Sequence, residues 1–348
     1  MKIVYTYPTS NEKDFLKERL PKDIEIITRI RGEPSEYSSP SEDPEIIKEA
    51  HSADILMGPF VTEEMLAKAM PSAGGKLKLV IVPWTGVDRV DFELINKYKV
   101  PIANSHANST TIAEFALTLL LAASKELIHH DRLLREGDWS SRFGNKPSKL
   151  VRGKTIGLLG YGAIGLDCAK LLQPFGVEII ALRRDPTKST KEEKSLAKTI
   201  YSINELSEFL QESDIIINSL PLTESTEGML GEKEFKQMKD GVVLVNVGRG
   251  KTIDEKALYE ALKEGKLFAA GLDPQWEYPS RSSDNESKIT YPSNYPLHEF
   301  DNVVLSPHRA ADIEGGYITY HYDDVIENII RIYEGKEPIN LIDLERGY

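Results

Sequence analysis

The sequence predicts an α/β protein made of two doubly wound parallel-sheet domains, and three observations predict it. The first hundred residues alternate strand-like and helix-like segments. The glycine-rich stretch Gly160-Tyr161-Gly162-Ala163-Ile164-Gly165 lies between a β-rich run and a helical one. A second alternating series then continues toward the C-terminus. Alternation of this kind implies parallel sheets with helices on both faces. At 348 residues the chain is also long for one core, so two domains are expected.

In the first series the expected strands are Ile3 to Tyr7, Ile24 to Ile30, Ile55 to Gly58, Leu77 to Val82 and Val100 to Asn104. Helices are expected at Glu12 to Leu20, Pro44 to His51, Thr62 to Met70 and Asp91 to Lys97. Thr62 reads as an N-cap, because acidic Glu63 and Glu64 follow in the first turn. Gly32 to Pro44, rich in Pro, Ser and Glu, is an expected exposed loop. Thr110 to Arg135 is one long helical pattern with an apolar middle, and Gly137 to Arg152 is polar and irregular. Strands of the second series are expected near Thr155, Val177, Lys198, Asp214, Val242, Leu267 and Asn302. Pro279 to Asn294 reads as a long surface loop. A last helix, from about Gly316 to Tyr333, is remote from the first series in sequence yet able to pack on it.

The net charge of −12 (43 basic against 55 acidic residues) disfavours general nucleic-acid binding, which needs a basic surface. It is compatible with a local basic pocket for an anion. The single cysteine, Cys168, excludes a disulfide within the chain and any CxxC metal site, so a reducing compartment fits. The longest apolar stretch, near Phe115 to Ala123, is too short to span a membrane. The N-terminus reads as a first strand and not as a signal peptide, so a cytoplasmic location is expected.

A glycine-rich turn alone is weak evidence, and its context strengthens it. Thr155 to Leu159 is a short apolar run, Ala163 to Phe175 a helical one, and Val177 to Leu182 a second β-rich run. That strand–turn–helix–strand order is the one a dinucleotide turn requires. Gly160 permits the tight turn, Gly162 lets the backbone approach a pyrophosphate, and Gly165 lets helix and strand pack closely. The helix N-terminus offers free N–H groups and partial positive charge to phosphates. About twenty residues on, where an acidic residue usually receives the ribose 2′-hydroxyl of NAD, stand Arg183 and Arg184. Arginine there suits the 2′-phosphate of NADP, so NADP is the expected cofactor, with NAD possible in its place.

Three further strand ends carry chemistry. In Val245-Asn246-Val247-Gly248-Arg249-Gly250 an arginine follows a strand, where open α/β sheets bind ligands. Its planar fork suits a carboxylate, although an arginine in a turn is also a common surface residue. Ser306-Pro307 ends another strand and presents His308, and histidine is the usual proton donor near neutral pH. His106 lies in the segment joining the two domains. Asp273 ends a third strand with Glu277 just beyond, and a carboxylate near a histidine raises its pKa and orients its ring.

Gly160 to Gly165, Pro221-Leu222-Thr223, Val245 to Gly250, Leu272-Asp273 and Ser306-Pro307-His308 stand in the order found in D-isomer-specific 2-hydroxyacid dehydrogenases. Gly86-Val87-Asp88 and Asn108 to Glu114 add to the likeness, and the chain resembles that family over roughly residues 53 to 312. The resemblance implies a flavodoxin-like substrate-binding domain, residues 1–105 plus 309–348, and an inserted Rossmann NAD(P)-binding domain, residues 106–308, with the active site in the cleft between them. It implies that Arg249 binds the substrate carboxylate and carbonyl, and that His308 exchanges a proton with the substrate oxygen. Tyr161, Ala163, Ile164, Pro221, Thr226 and Val247 join the glycines and arginines as expected cofactor residues, with Asp273 by the nicotinamide carboxamide. Gly58 and Phe60, in one loop, and Trp84, Thr85 and Gly86, in another, are expected at the substrate. The resemblance departs at one point. The family's catalytic glutamate directly precedes a proline, where this chain has Tyr278 before Pro279, and Glu277 comes one residue early. Glu277 is nonetheless the expected partner of His308.

The expected activity is therefore NADPH-preferring reduction of a small 2-oxoacid, glyoxylate or hydroxypyruvate, to a D-2-hydroxyacid. No nucleic-acid or membrane partner is expected. A homodimer is expected from the resemblance and from the long apolar helix after Thr110. Two alternatives stand beside this reading: an NAD-dependent D-3-phosphoglycerate dehydrogenase, and a non-enzymatic nucleotide-sensing corepressor-like protein.

Overall fold

Every pairing between named strands in this computed structural model is parallel. The structure describes residues 1–6, 12–29, 40–144, 147–279, 289–314 and 318–348. The chain forms two compact units, residues 1–108 with 313–348, and residues 109–312.

The first unit has a sheet of β1 (Lys2–Tyr5), β2 (Glu25–Thr28), β3 (Ile55–Met57), β4 (Leu79–Ile81) and β5 (Ile102–Ala103). Their order is β2-β1-β3-β4-β5, that of a flavodoxin-like sheet. Successive side chains of a strand point to opposite faces, and both faces here are covered. Ile3 and Tyr5 enter one core and Val4 the other. The helix Asp323–Tyr333 returns to this unit, burying Val325, Ile329 and Ile332 beside Ile3 and Tyr5. The hydroxyls of Tyr5 and Tyr322 meet at 2.6 Å in the same core. The expected helix from Gly316 is two pieces, Ile318–His321 and Asp323–Tyr333, and its first residues lie outside those described. Also outside are Tyr7 and Ile30 at two expected strand ends, residues 32–39 of the first expected loop, and residues 280–288 of the second. Thr62 caps its helix as expected, its hydroxyl accepting from the Met65 N–H at 3.3 Å.

The second unit holds all seven strands expected of it: β6 (Thr155–Leu159), β7 (Glu178–Leu182), β8 (Thr199–Tyr201), β9 (Ile215–Asn218), β10 (Val242–Asn246), β11 (Leu267–Leu272) and β12 (Val303–Leu305). Their order is β12-β11-β10-β9-β6-β7-β8. Counted from β6, this is the doubly wound dinucleotide order, and the direction of winding reverses between β6 and β9. The central strands are buried on both sides. Val243 and Val245 of β10 enter one core, while Val242 and Leu244 enter the other.

The long helix expected over Thr110 to Arg135 is broken. It forms Ser109–Ser124 and Leu127–Arg135, with Glu126 between them in the left-handed region at φ 51°. The physical reason is a tertiary hydrogen bond. The Ser124 carbonyl, which a continuous helix would spend on residue 128, accepts from the Lys149 N–H at 2.9 Å. The first piece buries eight of its 16 residues, and the second has no buried residue. Among the described residues no helix is long and apolar enough to cross a membrane.

Candidate active site

A parallel sheet delivers all its outgoing turns to one edge, so in the second unit the turns after β6, β7, β9, β10, β11 and β12 share the carboxyl end. The first of them is the glycine turn. Gly160 has φ +96°, which a side chain rarely adopts. A Cβ on Gly165 would lie 2.3 Å from the Gly160 carbonyl oxygen, so only glycine lets this helix lie so close to the strand. A Cβ on Gly162 would meet open space, which leaves the backbone there accessible to a bulky anion. Gly162 caps the helix Ala163–Leu172, whose first N–H groups sit at the same turn. These features fit a dinucleotide pyrophosphate. Within this turn the Tyr161 side chain packs into the core. The ring is buried, its hydroxyl donates to the Glu193 carbonyl at 3.1 Å, and burial pushes the phenol up to about 12.

Arg183 is the first residue after β7. Its Nη1 is 3.0 Å from both carboxylate oxygens of Glu193 and 3.3 Å from Ser189 Oγ. Glu193 is itself the N3 residue of a capping box with Thr190, so the arginine is anchored to a helix start. Arg184 reaches Ser225 Oγ at 3.4 Å, in the turn that follows β9. In that same turn Thr226 Oγ1 donates to the Pro221 carbonyl at 2.7 Å and accepts from the Thr223 N–H at 2.8 Å. Thr226 thus holds Pro221 in place.

Arg249 follows β10, and a buried polar network that sequence reading missed fixes its backbone. Asn218 and Asn246 are the last residues of β9 and β10 and are paired in register. Asn218 Nδ2 donates to Asn246 Oδ1 at 3.1 Å and to Thr252 Oγ1 at 2.7 Å. Asn246 Nδ2 and Thr252 Oγ1 both donate to the Arg249 carbonyl, at 3.1 and 2.7 Å. Asn246 Oδ1 accepts from the Gly248 N–H at 3.0 Å. All three side chains are fully buried, and such networks are rigid when every member is satisfied. The available signal was an asparagine closing each of two otherwise apolar strands. Val247, in the same turn, is buried.

Asp273 and His308 follow β11 and β12. The Asp273 carboxylate is buried and accepts three hydrogen bonds: Ser306 Oγ at 2.6 Å and the Arg309 N–H at 2.8 Å on Oδ1, and the Ala310 N–H at 3.2 Å on Oδ2. The His308 N–H donates to the Asp273 carbonyl at 3.0 Å. His308 has φ 62°, a sparsely populated conformation for a residue with a side chain.

The expected pairing of Glu277 with His308 is corrected by the geometry. The hydroxyl of Tyr278 lies 3.0 Å from His308 Nδ1, whereas Glu277 Oε1 accepts from Asn294 Nδ2 at 3.2 Å. The N–H groups of Trp276 and Glu277 both donate to the Pro292 carbonyl at 3.1 Å. That shared acceptor, with the Asn294 contact, holds Glu277 against the 289–294 loop.

In the first unit Gly58 and Phe60 follow β3, and Trp84, Thr85 and Gly86 follow β4, so these expected substrate residues occupy the carboxyl ends of adjacent strands. Gly58 has φ 124° and its N–H donates to the Ile81 carbonyl at 2.8 Å. Thr85 Oγ1 donates to Asn108 Oδ1 at 2.9 Å, and Trp84 packs partly buried on the core. Burial holds the His106 ring below the ordinary histidine value, against the opposing charge of Asp324.

The sheet order and the glycine turn are those of a dinucleotide-binding domain. Residues 117–310 match the NAD binding domain of the D-isomer specific 2-hydroxyacid dehydrogenases, and the chain belongs to that family. It is accordingly an oxidoreductase acting on 2-hydroxyacids. A glyoxylate reductase of Korarchaeum cryptofilum is 34% identical over 305 residues, covering 86% of this chain and 86% of that one. A D-3-phosphoglycerate dehydrogenase of Archaeoglobus fulgidus is 29% identical over 347 residues, covering 99% of this chain but 59% of that one. Among solved structures, an acyclic imino acid reductase in complex with NADPH and D-Arg is similar with a TM-score of 0.74 at 28% identity, over 99% of this chain and 100% of that one.

An amide at position 273 would offer one acceptor oxygen where the carboxylate offers two, and would turn its NH2 toward a backbone donor. Asp273→Asn is expected to cost about 1.5–3 kcal/mol in urea denaturation, the range for hydrogen bonds to a charged group, and to lower turnover by loosening the His308 turn. An unchanged denaturation midpoint would rule out this role.

Proposed function

We propose that this enzyme reduces a small 2-oxoacid, glyoxylate or hydroxypyruvate, to the D-2-hydroxyacid, with NADPH as the preferred reductant. The observation that carries the reading is the convergence of Arg249, Asp273 and His308 on the turns of three adjacent strands, at the same sheet edge as the dinucleotide turn. The similarity to glyoxylate reductases supports the substrate class. Arg183, in place of an acidic residue, supports the 2′-phosphate. Its Nη1 is taken by Glu193, and its remaining N–H groups and the Arg184 guanidinium are the donors proposed to reach that phosphate. The D-3-phosphoglycerate reading is less favoured by the same residue, because such a site for NAD carries an acid there.

When bound, the nicotinamide supplies the hydride that goes to C2 of the oxoacid. Arg249 grips the carboxylate with its planar fork and stabilises the charge that grows on the carbonyl oxygen. His308, protonated, gives that oxygen its proton and is recharged from solvent. The turns after β3 and β4 are assigned to substrate binding, through the backbone N–H groups of Phe60, Thr85 and Gly86, and to limiting substrate size through Phe60 and Trp84; Pro59 has no N–H, and that of Gly58 is held by the Ile81 carbonyl. On this reading the unit of residues 1–108 with 313–348 is the substrate-binding part and that of 109–312 the cofactor-binding part, each boundary within four residues of the expected 105/106 and 308/309.

We also propose a homodimer through the second unit. Leu127, Ile128, Leu134, Trp139, Phe143 and Leu150 are all exposed, and exposed apolar surface on this scale marks an interaction face. Sedimentation equilibrium is expected to give twice the chain mass, and Trp139→Glu with Phe143→Glu a monomer. A wild-type monomer at micromolar concentration would overturn this.

Steady-state assays of glyoxylate and hydroxypyruvate with each cofactor test the activity. Arg183→Ala is expected to raise the KM for NADPH about tenfold or more, the loss of one charge-assisted contact, and to leave NADH nearly unchanged. Better use of NADH than NADPH by the wild type would refute the cofactor preference. Arg249→Lys keeps the charge and loses the fork. It is expected to cut kcat/KM strongly with cofactor binding intact, and a change under about threefold would remove Arg249 from the role that two-point binding gives it.

A further inference from the structure

Tyr278 stands where the family resemblance expects a carboxylate, and a phenol can do what a carboxylate cannot: donate. The Gln275 N–H donates to the Tyr278 oxygen at 3.0 Å, and that oxygen lies 3.0 Å from His308 Nδ1. Gln275 is buried, and its Nε2 donates to the carbonyls of Leu272 at 3.0 Å and Ser306 at 2.9 Å, with a longer contact to that of Asp273 at 3.4 Å. It therefore ties together the ends of β11 and β12, the two elements that carry Asp273 and His308. The imidazole, the phenol and the Gln275 amide form one hydrogen-bonded chain anchored at both ends.

We propose that Tyr278 donates its hydroxyl proton to Nδ1 and holds the neutral His308 ring as the tautomer with its proton on Nε2, while Gln275 occupies the acceptor side of the tyrosine. Tyr278 is thus a positioning residue. An acceptor at Nδ1 exists only in that tautomer, whereas a carboxylate selects the opposite one, with the proton on Nδ1. Because Nδ1 is engaged, Nε2 is the ring nitrogen that serves the substrate. When the ring is protonated, Nδ1–H donates to the phenol oxygen, which has a second lone pair for it, and the phenol proton leaves Nδ1. The inference rests on His308 being the proton donor.

The phenol brings no negative charge to the protonated ring. Reduction needs that protonated form, so its rate falls at lower pH than a carboxylate partner would allow. Among the described residues, the charged groups on the turns after β10, β11 and β12 include Arg249, Lys251, Asp273, Glu277, Arg309 and Asp312. Asp273 is held by Ser306 and two backbone N–H groups, Glu277 by Asn294, and Arg309 by Asp312. Arg249 Nη1 donates to the Gly248 carbonyl at 2.9 Å. None of these groups is altered by a substitution at 278.

The test uses the full-length enzyme labelled with 15N at histidine, with His308→Ala identifying the His308 resonances. Long-range 1H–15N spectra above the ring's titration are expected to show the Nε2–H tautomer in the wild type and a mixed population in Tyr278→Phe. Tyr278→Glu is expected to give the Nδ1–H tautomer and to move the alkaline fall in the reduction rate up by about one pH unit or more. An Nδ1–H ring in the wild type, or a pH profile unmoved by Tyr278→Glu, overturns the proposal. If Tyr278→Glu does not fold, the other two spectra decide. Full activity in His308→Ala would instead refute the proton-donor reading, and the tautomer would still be read from the wild-type spectrum.

Discussion

Parallel pairing is the constraint on which everything else here depends. A parallel strand cannot be followed by a tight hairpin, so each must hand over to a crossover, and every crossover leaves from the same edge. In the second unit that geometry brings residues from six separate stretches, Gly160 to His308, to one rim without any of them being near in sequence. The same constraint buries the strands on both faces, which is why β9 and β10 read as unbroken apolar runs that end in asparagine.

Those asparagines show how a rim of loops is made rigid. A loop on the edge of a sheet is ordinarily the most mobile part of a fold. Here Asn218, Asn246 and Thr252 fasten the Arg249 backbone from beneath, and the Asp273 carboxylate fastens the His308 turn from the side. Each fastening is made of buried groups with satisfied hydrogen bonds, so releasing one would leave others unpaired in a low-dielectric interior. Precision at the rim is thereby borrowed from the sheet.

What was legible in the sequence was local or periodic. The glycine turn, the Thr62 cap and the seven strands of the second unit each follow from a few neighbouring residues. What was not legible depended on tertiary partners. The helix break at Glu126 comes from the Lys149 N–H meeting the Ser124 carbonyl, a contact no periodicity reveals. The choice between Glu277 and Tyr278 turned on the contacts of an irregular segment with Pro292 and Asn294. The Asn218–Asn246 network needed the register of two strands. In each case the residue types were visible and the neighbour that gave them meaning was not.

The left-handed backbone at His308 sets folding and chemistry against each other at one residue. A non-glycine residue held there costs on the order of 1–3 kcal/mol, which glycine would not incur. On backbone conformation alone, the residue favoured at position 308 is glycine, which has no imidazole. Lys99, Glu126 and Asn340 carry the same backbone cost, but His308 is the one of the four proposed to act on substrate, so a library screened only for melting temperature is expected to admit glycine there and with it lose the proposed proton donor.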